Sequence, residues 1–513
     1  MQRFLERHSE RVIGVLSGFD RLLFRGSVKS LSYARGVEIF LSCQGVLIKH
    51  FAHYVKTLSD RLKRHAQQLA RQQGRPYRHL YSPKSSKEDV AKQIASQDGI
   101  TQGLICVLSC VEPCWTYDVH SNAKTGHVEI VARERQCLHL YFYIQDRQFG
   151  LMHVRLQTWL PMTIQVCING REYLARAMDR EGIRYEQRDN CFVWIEDLPR
   201  AQAILDRLTH RKWEKFLNAF ARRFNPWIKP QEGLDLRGYY WTVRQGEFAT
   251  DVMFRDEQAL KELYPALVDH AIRKFSCRDT LRFLERRTNR RFSGEVKTSS
   301  QEREDGVRVK HWLEENSIKM YDKQGCVLRI ETTINRPQRF TVRRKVTREG
   351  RRSTEWVRLR KGIVDMKARV ELSRKANERY LEALAEVHVP SPTHRILDPV
   401  QVRKVKRGRS YRALRPLSKE ECRLFTILLR GEHTLTGFRN INVRRALYPA
   451  EEADPKRRSR ASNRTTRWFL LLRSHGLIVK IPGTHCYRVN ARGHRLMTTA
   501  LTLRQLNLEK LAA

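Results

Sequence analysis

The sequence lacks the features of a membrane or secreted protein. It contains no run of about 18 apolar residues, and its first residues, MQRFLERHSERV, lack the apolar core of a signal peptide. The 11 cysteines are odd in number and scattered, without a Cys-x-x-Cys pair. Reduced thiols are therefore predicted rather than a disulfide framework or a structural zinc site. These absences predict a soluble cytoplasmic protein without a membrane partner.

Familiar catalytic signatures are also absent. The chain has no Gly-x-x-x-x-Gly-Lys, His-Glu-x-x-His, Gly-x-Ser-x-Gly or zinc-deaminase pattern. Cys106, Cys110 and Cys114 are spaced by four residues in an apolar segment that has no nearby pair of histidines. We expect these cysteines to pack in a core. Only weaker groupings of residues remain as candidates for chemistry.

Acidic residues are scarce relative to basic ones. The chain has 98 Lys and Arg against 55 Asp and Glu, a net charge of +43. So large an excess of positive charge predicts a polyanionic partner. DNA is the expected partner and structured RNA the alternative, whereas the oligomeric state is not determined by composition.

The 513 residues are too many for one hydrophobic core, so about two to four domains are expected. Helical and strand periodicities alternate along the chain, which predicts an α+β multidomain protein with a body of helices and antiparallel sheet. The predicted divisions are a mainly helical region at 1–102, an α+β domain at 103–226, a second α+β domain with a basic β-ribbon at 227–362, and a helix with a basic linker at 363–415.

The last hundred residues form a distinct pattern. Ser418-x-x-Glu421 is a capping box before an amphipathic helix, and a short helix, a longer basic helix, two strands and a final helix follow. The segment HGLIVKIPGTHCYRV follows the longer helix. Residues 416–513 are therefore expected to be a separate domain, whose order of elements resembles a MarR-like winged helix-turn-helix.

This resemblance implies binding of DNA by the longer helix and the two-stranded wing. The implied DNA-facing residues are Arg460, Asn463, Arg464 and Arg467 on the helix, with Lys480, His485 and Arg488 in the wing. The insert PAEEADPKRRSR lengthens the turn before the helix, where this chain departs from the family. Protein contacts or RNA binding are the alternatives.

Two further segments are strongly basic. Residues 336–361 hold eleven cations and two acids around Gly350, which predicts a β-ribbon that contacts phosphates, or alternatively a solvated charged hairpin. Residues 403–415 hold seven cations and no acid, which predicts a flexible linker that orders on a phosphate backbone. The candidate nucleic-acid contacts are Arg343, Arg344, Lys345, Arg351, Arg352 and Trp356 in the ribbon, and Arg403, Lys404, Lys406 and Arg407 in the linker.

Two groupings could carry chemistry. If CLHLYFYI and FGLMHVRL form a hairpin turning through 145–148, His139 faces His153 and Cys137 faces Arg155. Facing imidazoles can bind a divalent metal, although sheet histidines are more often structural. The second grouping is SIKMYDKQGCVLRIETTIN at 317–335, where Gly325 predicts a hairpin turn.

In this second segment, Tyr-x-Lys followed by Arg-x-Glu resembles a local pattern of rolling-circle replication initiators. The resemblance implies Tyr321 as a nucleophile on a DNA phosphate and Glu331 as an acid near a metal. The family's His-hydrophobic-His motif is missing from its expected place. Glu247 and Asp251 on a predicted strand are further candidate carboxylates for Mg²⁺ or Mn²⁺ if the chain is a nuclease.

The combined expectation is a nucleic-acid-binding protein of a bacterial mobile element or replicon. Its overall layout also resembles large bacterial proteins that are labelled MarR-like from the C-terminal module. A metal-dependent or tyrosine DNA-nicking enzyme, of the replication-initiator or transposase kind, is one alternative. An RNA-binding scaffold of a ribonucleoprotein is the other.

Overall fold

A computed structural model of the chain divides it into two compact units, Met1–Val387 (unit 1) and His388–Ala513 (unit 2). The residues that it describes are 1–121, 126–228, 236, 238–284, 295–303, 306–348, 351–387, 393–406, 408–430, 433 and 437–505.

Unit 1 is built on an eleven-stranded sheet in the order β10-β11-β12-β13-β9-β1-β6-β5-β4-β3-β2. Its neighbouring strands are antiparallel, except that β2 and β3 are parallel. Separate two-stranded ribbons are β7–β8 and β14–β15. The strands are β1 (Val12–Ser27), β2 (Tyr77–Leu80), β3 (Gly103–Ser121), β4 (Val128–Asp146), β5 (Gly150–Gln157), β6 (Ile164–Asn169), β7 (Tyr185–Arg188), β8 (Cys191–Ile195), β9 (Tyr240–Phe254), β10 (Val296–Arg303), β11 (Gly306–Leu313), β12 (Asn316–Lys323), β13 (Val327–Thr333), β14 (Thr341–Arg348) and β15 (Arg351–Arg358).

The helices described in unit 1 are α1 (Gln2–Arg7), α2 (Ala34–Cys43), α3 (Phe51–Gln72), α4 (Lys87–Gln97), α5 (Gly170–Glu181), α6 (Leu198–Thr209), α7 (Trp213–Phe224), α8 (Glu257–Arg273), α9 (Cys277–Phe283) and α10 (Met366–Leu384). Local sequence sets several of their ends. Asn169 caps α5 by accepting from two backbone N–H groups, and Gly182 ends it with a φ of 67°. Asp197 caps α6 by accepting from the Arg200 N–H. Among the described residues, no helix is both long and apolar enough to cross a membrane.

The core of unit 1 forms where alternate residues of the sheet meet the helices. Leu22 and Phe24 of β1 are buried, whereas Arg21 and Arg25, which flank them, lie on the opposite, polar face of the strand. The buried residues of α3, including Leu58 and Ala66, recur at helical spacing within the same core. Polar side chains are therefore collected on one face of the central strands.

Unit 2 contains helices α11 (Thr393–Leu397), α12 (Lys419–Leu428), α13 (Asn440–Leu447), α14 (Pro455–Ser474) and α15 (Ala491–Gln505), with strands β16 (Lys404–Lys406), β17 (Arg409–Tyr411), β18 (Ile478–Lys480) and β19 (Tyr487–Val489). Its core includes Phe425, Val443 and Leu472. Ser418 caps α12 by accepting from the Glu421 N–H, but the Glu421 carboxylate accepts from Arg412 instead of completing the box.

The two-unit division corrects the predicted domain boundaries. The region 1–102 is mainly helical, as predicted, but it contributes β1 to the centre of the sheet and is not a separate domain. The ranges 103–226 and 227–362 share this one sheet, and α10 packs against its β13 and β9 strands. The prediction of separate α+β domains was wrong because strands distant in sequence pair with one another. The mixed composition of helix and largely antiparallel sheet is confirmed.

Gly170, at the start of α5, leaves no room for a side chain. A Cβ atom there would lie 1.9 Å from the carbonyl oxygen of Phe19 in β1. We expect Gly170→Ala to lower the free energy of unfolding by about 1–3 kcal/mol, measured by urea denaturation, because backbone must move to admit the methyl group. Gly246→Ala is the control, since its Cβ would meet only side-chain atoms at 3.3 Å or more. An equal loss in both variants would contradict this explanation.

Candidate functional site

Three carboxylates from three neighbouring strands meet within the sheet. Asp20 lies on β1, Glu247 on β9 and Glu331 on β13, and one oxygen from each lies within 4.8 Å of the others. Asp20 and Glu331 are buried, whereas Glu247 is partly exposed. We call these three residues the carboxylate triad. It unites two acids predicted from the sequence with one that was missed.

A β-bulge places Asp20 in the triad. The register between β1 and β9 passes from Phe19 opposite Phe248 to Arg21 opposite Glu247, so Asp20 has no partner on β9. A bulge bends the strand locally and changes where a side chain points. The Asp20 carboxylate accepts hydrogen bonds from the side chains of Asn190 and Arg329.

Glu331 is held from β12, the strand next to its own. Its carboxylate accepts a hydrogen bond from Tyr321 Oη at 2.8 Å and pairs with Lys319 Nζ at 2.7 Å. Burial raises the pKa of Glu331, Lys319 opposes this, and the other two triad carboxylates raise the pKa further, with a net upward shift. Burial and like charge therefore outweigh Lys319, a setting that a bound cation would relieve.

Tyr321 lies beside the triad as a hydrogen-bond donor. Burial raises its pKa well above the usual value of 10.0, and the Glu331 carboxylate raises it further. The phenol is therefore strongly favoured over the phenolate. In this arrangement Tyr321 orients Glu331. For Tyr321 to act as the predicted nucleophile, a base would have to remove the phenol proton.

Asp251 lies outside the triad in a buried ion network. Its carboxylate accepts from Arg329 at 2.6 and 2.9 Å and pairs with Arg171 of α5 at 2.9 Å. All three side chains are at most 1% exposed. Arg329 also donates to Asp20 Oδ2 at 3.0 Å. Asp251, a predicted metal ligand, thus holds Arg329, and Arg329 in turn positions Asp20 of the triad.

A cavity of about 370 Å³ opens beside the triad. Its wall includes Asp20 and Glu247, the further acids Glu88, Glu172 and Asp189, two cations, and the rings of Tyr143 and His153. Burial, and after it the charge of Arg21, lowers the pKa of His153, one of these rings, to about 4. The cavity therefore exposes two of the three triad acids to a ligand. Other lining residues are Arg21, Lys92, Cys167, Asn169 and Asn190.

The predicted pairing of His139 with His153 is wrong. His139 faces Gln157 and His153 faces Tyr143, so the histidines lie four residues apart along the strands, about 13 Å. They cannot share a metal ion at that separation. The predicted pairing of Cys137 with Arg155 is also wrong, because Arg155 faces Tyr141. The strands turn at 147–149 rather than 145–148, which shifts every pair.

The basic ribbon β14–β15 has one charged, exposed face. Arg343 lies opposite Trp356, Lys345 opposite Thr354, and Thr347 opposite Arg352. These side chains are exposed, and the Trp356 side chain is 70% exposed. Arg344 points to the other face and pairs with Asp365 at 2.6 Å, which leaves it less available to a ligand. The side chain of Arg351 lies outside the described residues.

The long helix α14 of unit 2 also presents a basic face. Arg460, Asn463 and Arg467 are exposed at helical spacing. Lys480, His485 and Arg488, which belong to the predicted wing, are also exposed. Arg464 differs because it pairs with Glu451 and lies 4.3 Å from the centre of the Tyr448 ring. The predicted DNA contacts on α14 are therefore not equivalent, because Arg464 already interacts with Glu451 and Tyr448.

The second basic segment forms a short hairpin rather than a wholly irregular linker. Lys404 lies opposite Tyr411, and Lys406 lies opposite Arg409. Arg403 precedes this hairpin and is exposed, whereas the predicted contact Arg407 lies outside the described residues. Part of the segment that was predicted to be a flexible linker is therefore a β-hairpin.

The predicted cysteine core is largely confirmed. Cys106 and Cys110 are fully buried, and Cys114 is partly exposed.

Sequence reasoning missed Asp20, Lys319 and Arg171. The clue to Asp20 was the single acid within the largely apolar segment VIGVLSGFDRLLF, because a buried charge there requires a partner. Lys319 lies directly opposite Glu331, which the predicted hairpin at Gly325 could have indicated. Arg171 had no comparable clue, since its partner Asp251 lies on a distant strand.

Comparisons with known protein families, with curated proteins and with solved structures found no match to this chain.

Replacing Asp251 should destabilise unit 1. Asp251→Asn leaves two buried guanidinium groups without their shared carboxylate, so we expect a loss of about 3–5 kcal/mol in the free energy of unfolding. Asp269→Asn removes the acid of an exposed ion pair with Arg273 and serves as the control. Denaturant unfolding should show little change for this control. Equal losses of unfolding free energy in Asp251→Asn and Asp269→Asn would contradict the view that burial makes the Asp251 ion pairs important for stability.

The effect of Asp251 should also depend on pH. Burial alone raises its pKa, but Arg171 and Arg329 outweigh burial and hold the pKa below its ordinary value of 3.8. The carboxylate therefore stabilises the fold above the unfolded-state pKa, and this contribution is lost as pH falls through the lower folded-state pKa. The stability difference between the wild type and Asp251→Asn should shrink in that acidic range. A constant difference there would be inconsistent with this linkage.

Proposed function

We propose that this protein binds nucleic acid and acts on its phosphodiester bonds with a divalent cation held at the carboxylate triad. The convergence of Asp20, Glu247 and Glu331 carries this proposal. A protein with a net charge of +43 favours a polyanionic substrate, and carboxylates that meet beside an open cavity are suited to metal-assisted phosphoryl chemistry.

The donor set fits a hard cation. Carboxylate oxygens are the ligands preferred by Mg²⁺ and Mn²⁺, which also retain water or substrate oxygens. Asp20, Glu247 and Glu331 would hold such an ion. A bound ion would polarise a phosphate oxygen and lower the pKa of a coordinated water. Cys167 is the only cysteine that lines the described cavity, so a site based on sulfur is less well supported.

Neighbouring side chains would prepare this site. Arg329 holds the Asp20 carboxylate, while Tyr321 and Lys319 hold the Glu331 carboxylate. Such fixed partners keep ligands oriented and contribute strongly to affinity in known metal sites. Arg21 and Lys92 are the cations that line the cavity, and Lys92 pairs with Glu88 at 2.8 Å. An excess of acids in the lining favours a cation there, through which a phosphate would be held.

Metal binding can be measured directly. We expect wild-type protein to bind Mn²⁺ in isothermal titration calorimetry and to cleave supercoiled or single-stranded DNA with Mg²⁺ or Mn²⁺. Asp20→Asn and Glu247→Gln each remove an anionic ligand and should weaken Mn²⁺ affinity at least tenfold and reduce cleavage in parallel.

Glu302→Gln is the matched control, because Glu302 is an exposed acid on β10 of the same sheet. It should leave Mn²⁺ affinity and cleavage unchanged. Absence of both Mn²⁺ binding and cleavage in the wild type would refute the proposed chemistry and leave nucleic-acid binding alone. Tyr321→Phe separates the alternatives, since a tyrosine nicking enzyme would lose all cleavage and its covalent DNA adduct.

We also propose that unit 2 is a winged helix that binds DNA. The order of α12, α13, α14, β18, β19 and α15 supports it, as does the exposed face of Arg460, Asn463 and Arg467. The exposed ribbon face with Arg343, Lys345 and Trp356 supports a second contact with a phosphate backbone.

The ion pairing of α14 predicts unequal effects of arginine substitutions. In the full chain, Arg467→Gln should weaken binding of duplex DNA several-fold and make the slope of log affinity against log salt less steep by about 0.9. Arg464→Gln should have a smaller effect, because Glu451 already engages Arg464.

Fluorescence anisotropy over a salt series would measure both effects. Arg423→Gln, at an exposed position on α12, is the control. A larger loss for Arg464→Gln than for Arg467→Gln would overturn this assignment of the DNA-facing side.

Two broader predictions accompany this proposal. A cytoplasmic protein of a bacterial mobile element or replicon remains the predicted setting. An RNA-binding scaffold is the alternative, favoured if a defined RNA that survives DNase treatment co-purifies with the protein from its own host.

A further inference from the structure

Three arginines converge on the polar face of the sheet away from the triad. Arg25 on β1 and Arg155 on β5 each lie directly opposite Gln165 of β6. Arg244 occupies a bulge of β9, where the register passes from Gln245 to Val243. With its amide oxygen turned toward them, Gln165 accepts from Arg244 Nη1 at 2.7 Å and Arg155 Nη1 at 3.3 Å. We call Arg25, Arg155 and Arg244 the arginine cluster.

The positive charge of this cluster is incompletely matched. Arg155 pairs with Glu112 at 2.8 Å, but Glu112 is shared with Lys87, also at 2.8 Å. Within the described parts of unit 1, no carboxylate pairs with Arg25 or Arg244. The buried Nε atom of Arg25 has no hydrogen-bond partner among the described residues. The Nε donor of Arg25, which lacks an acceptor among the described residues, thus lies beside the guanidinium groups of Arg155 and Arg244.

The arginines of this cluster repel one another. Burial lowers the pKa of Arg25, and the neighbouring Arg244 and Arg155 lower it further. Like charges and an unsatisfied donor both cost stability. An anion would satisfy the donor and offset the repulsion, and guanidinium groups suit phosphate because they can donate two parallel hydrogen bonds.

The position of the cluster relates it to the triad. Arg21 lies opposite Glu247, and Arg25 follows four residues later on the same face of β1, about 13 Å away. The register between β1 and β6 is regular from Arg21 to Gly26, so the alternation of faces is unbroken between the two sites. A strand of a few nucleotides can span this separation.

We propose that Arg25, Arg155 and Arg244 bind a backbone phosphate of the nucleic-acid strand whose reacting phosphodiester lies at the carboxylate triad. The link to the triad rests on the proposed function, but phosphate binding by the cluster can be tested by itself. Gln165 orients two of the arginines and is a positioning residue. The shared chemistry is a phosphate group, either of a polynucleotide or free in solution.

The test uses the full chain and a fluorescent single-stranded oligonucleotide, with Arg460→Gln and Arg467→Gln present throughout to reduce binding by unit 2. In that background, Arg244→Gln and Arg25→Gln should each weaken oligonucleotide affinity several-fold. Each should also make the slope of log affinity against log salt less steep by about 0.7, the value for one phosphate contact with a single strand. Arg184→Gln, which removes an exposed arginine paired with Glu196, is the control and should change neither quantity.

Thermal unfolding separates lost binding from lost folding. Removing one of three like charges should leave the Tm of Arg244→Gln and Arg25→Gln equal to or above that of the parent. Weaker binding with an unchanged or raised Tm would support the site. Unchanged affinity and salt slope in both variants would overturn it. A lower Tm in both would also overturn it, because the arginines would then be structural.

Two further measurements distinguish the possible failures. Mn²⁺ titration of the same variants reports the triad, so Mn²⁺ binding with no change in oligonucleotide affinity would refute the cluster alone. Loss of oligonucleotide affinity without any Mn²⁺ binding by the parent would refute the proposed metal chemistry alone.

Titration with inorganic phosphate identifies the source of the anion. If only inorganic phosphate binding is lost in Arg244→Gln, the assignment to nucleic acid is overturned.

Discussion

Arg329 is the side chain on which the centre of unit 1 depends. Its buried guanidinium donates to Asp251 on β9 and Asp20 on β1, and to the backbone carbonyl of Asn190 beside β8. A buried guanidinium costs several kcal/mol unless carboxylates and hydrogen bonds compensate for its lost hydration. The three segments must therefore assemble together around Arg329, and a shift of any one would leave a buried charge unmatched.

The candidate chemistry follows from this constraint. Arg329 holds Asp20 where the bulge in β1 places it, so the side chain that stabilises the sheet also orients a triad carboxylate. A second bulge, in β9, places Arg244 in the arginine cluster. Bulges are common where a sheet must redirect a side chain toward a site. Irregularities of two adjacent strands thus create an acidic site and a basic site on one polar face.

Local features were predictable, whereas pairing between distant segments was not. The hairpin at Gly325 is confirmed, with Gly325 at a φ of 70°, and it correctly brings Tyr321 near Glu331. The histidine prediction failed because the turn between β4 and β5 is centred differently, and a changed turn alters every facing pair. Asp20 was missed because an unpaired bulge residue has no signature in the alternation of apolar and polar residues.

The sequence by itself determined the large positive charge, the helix cap at Ser418, and the hairpin that carries Glu331. These features depend on composition or on residues close together in the chain. Only the tertiary structure decided that Asp20 joins the triad and that Asp251 is an ion-pair partner of Arg329. The physical reason is that sheet register and buried charge compensation join segments separated by hundreds of residues, which local periodicity does not specify.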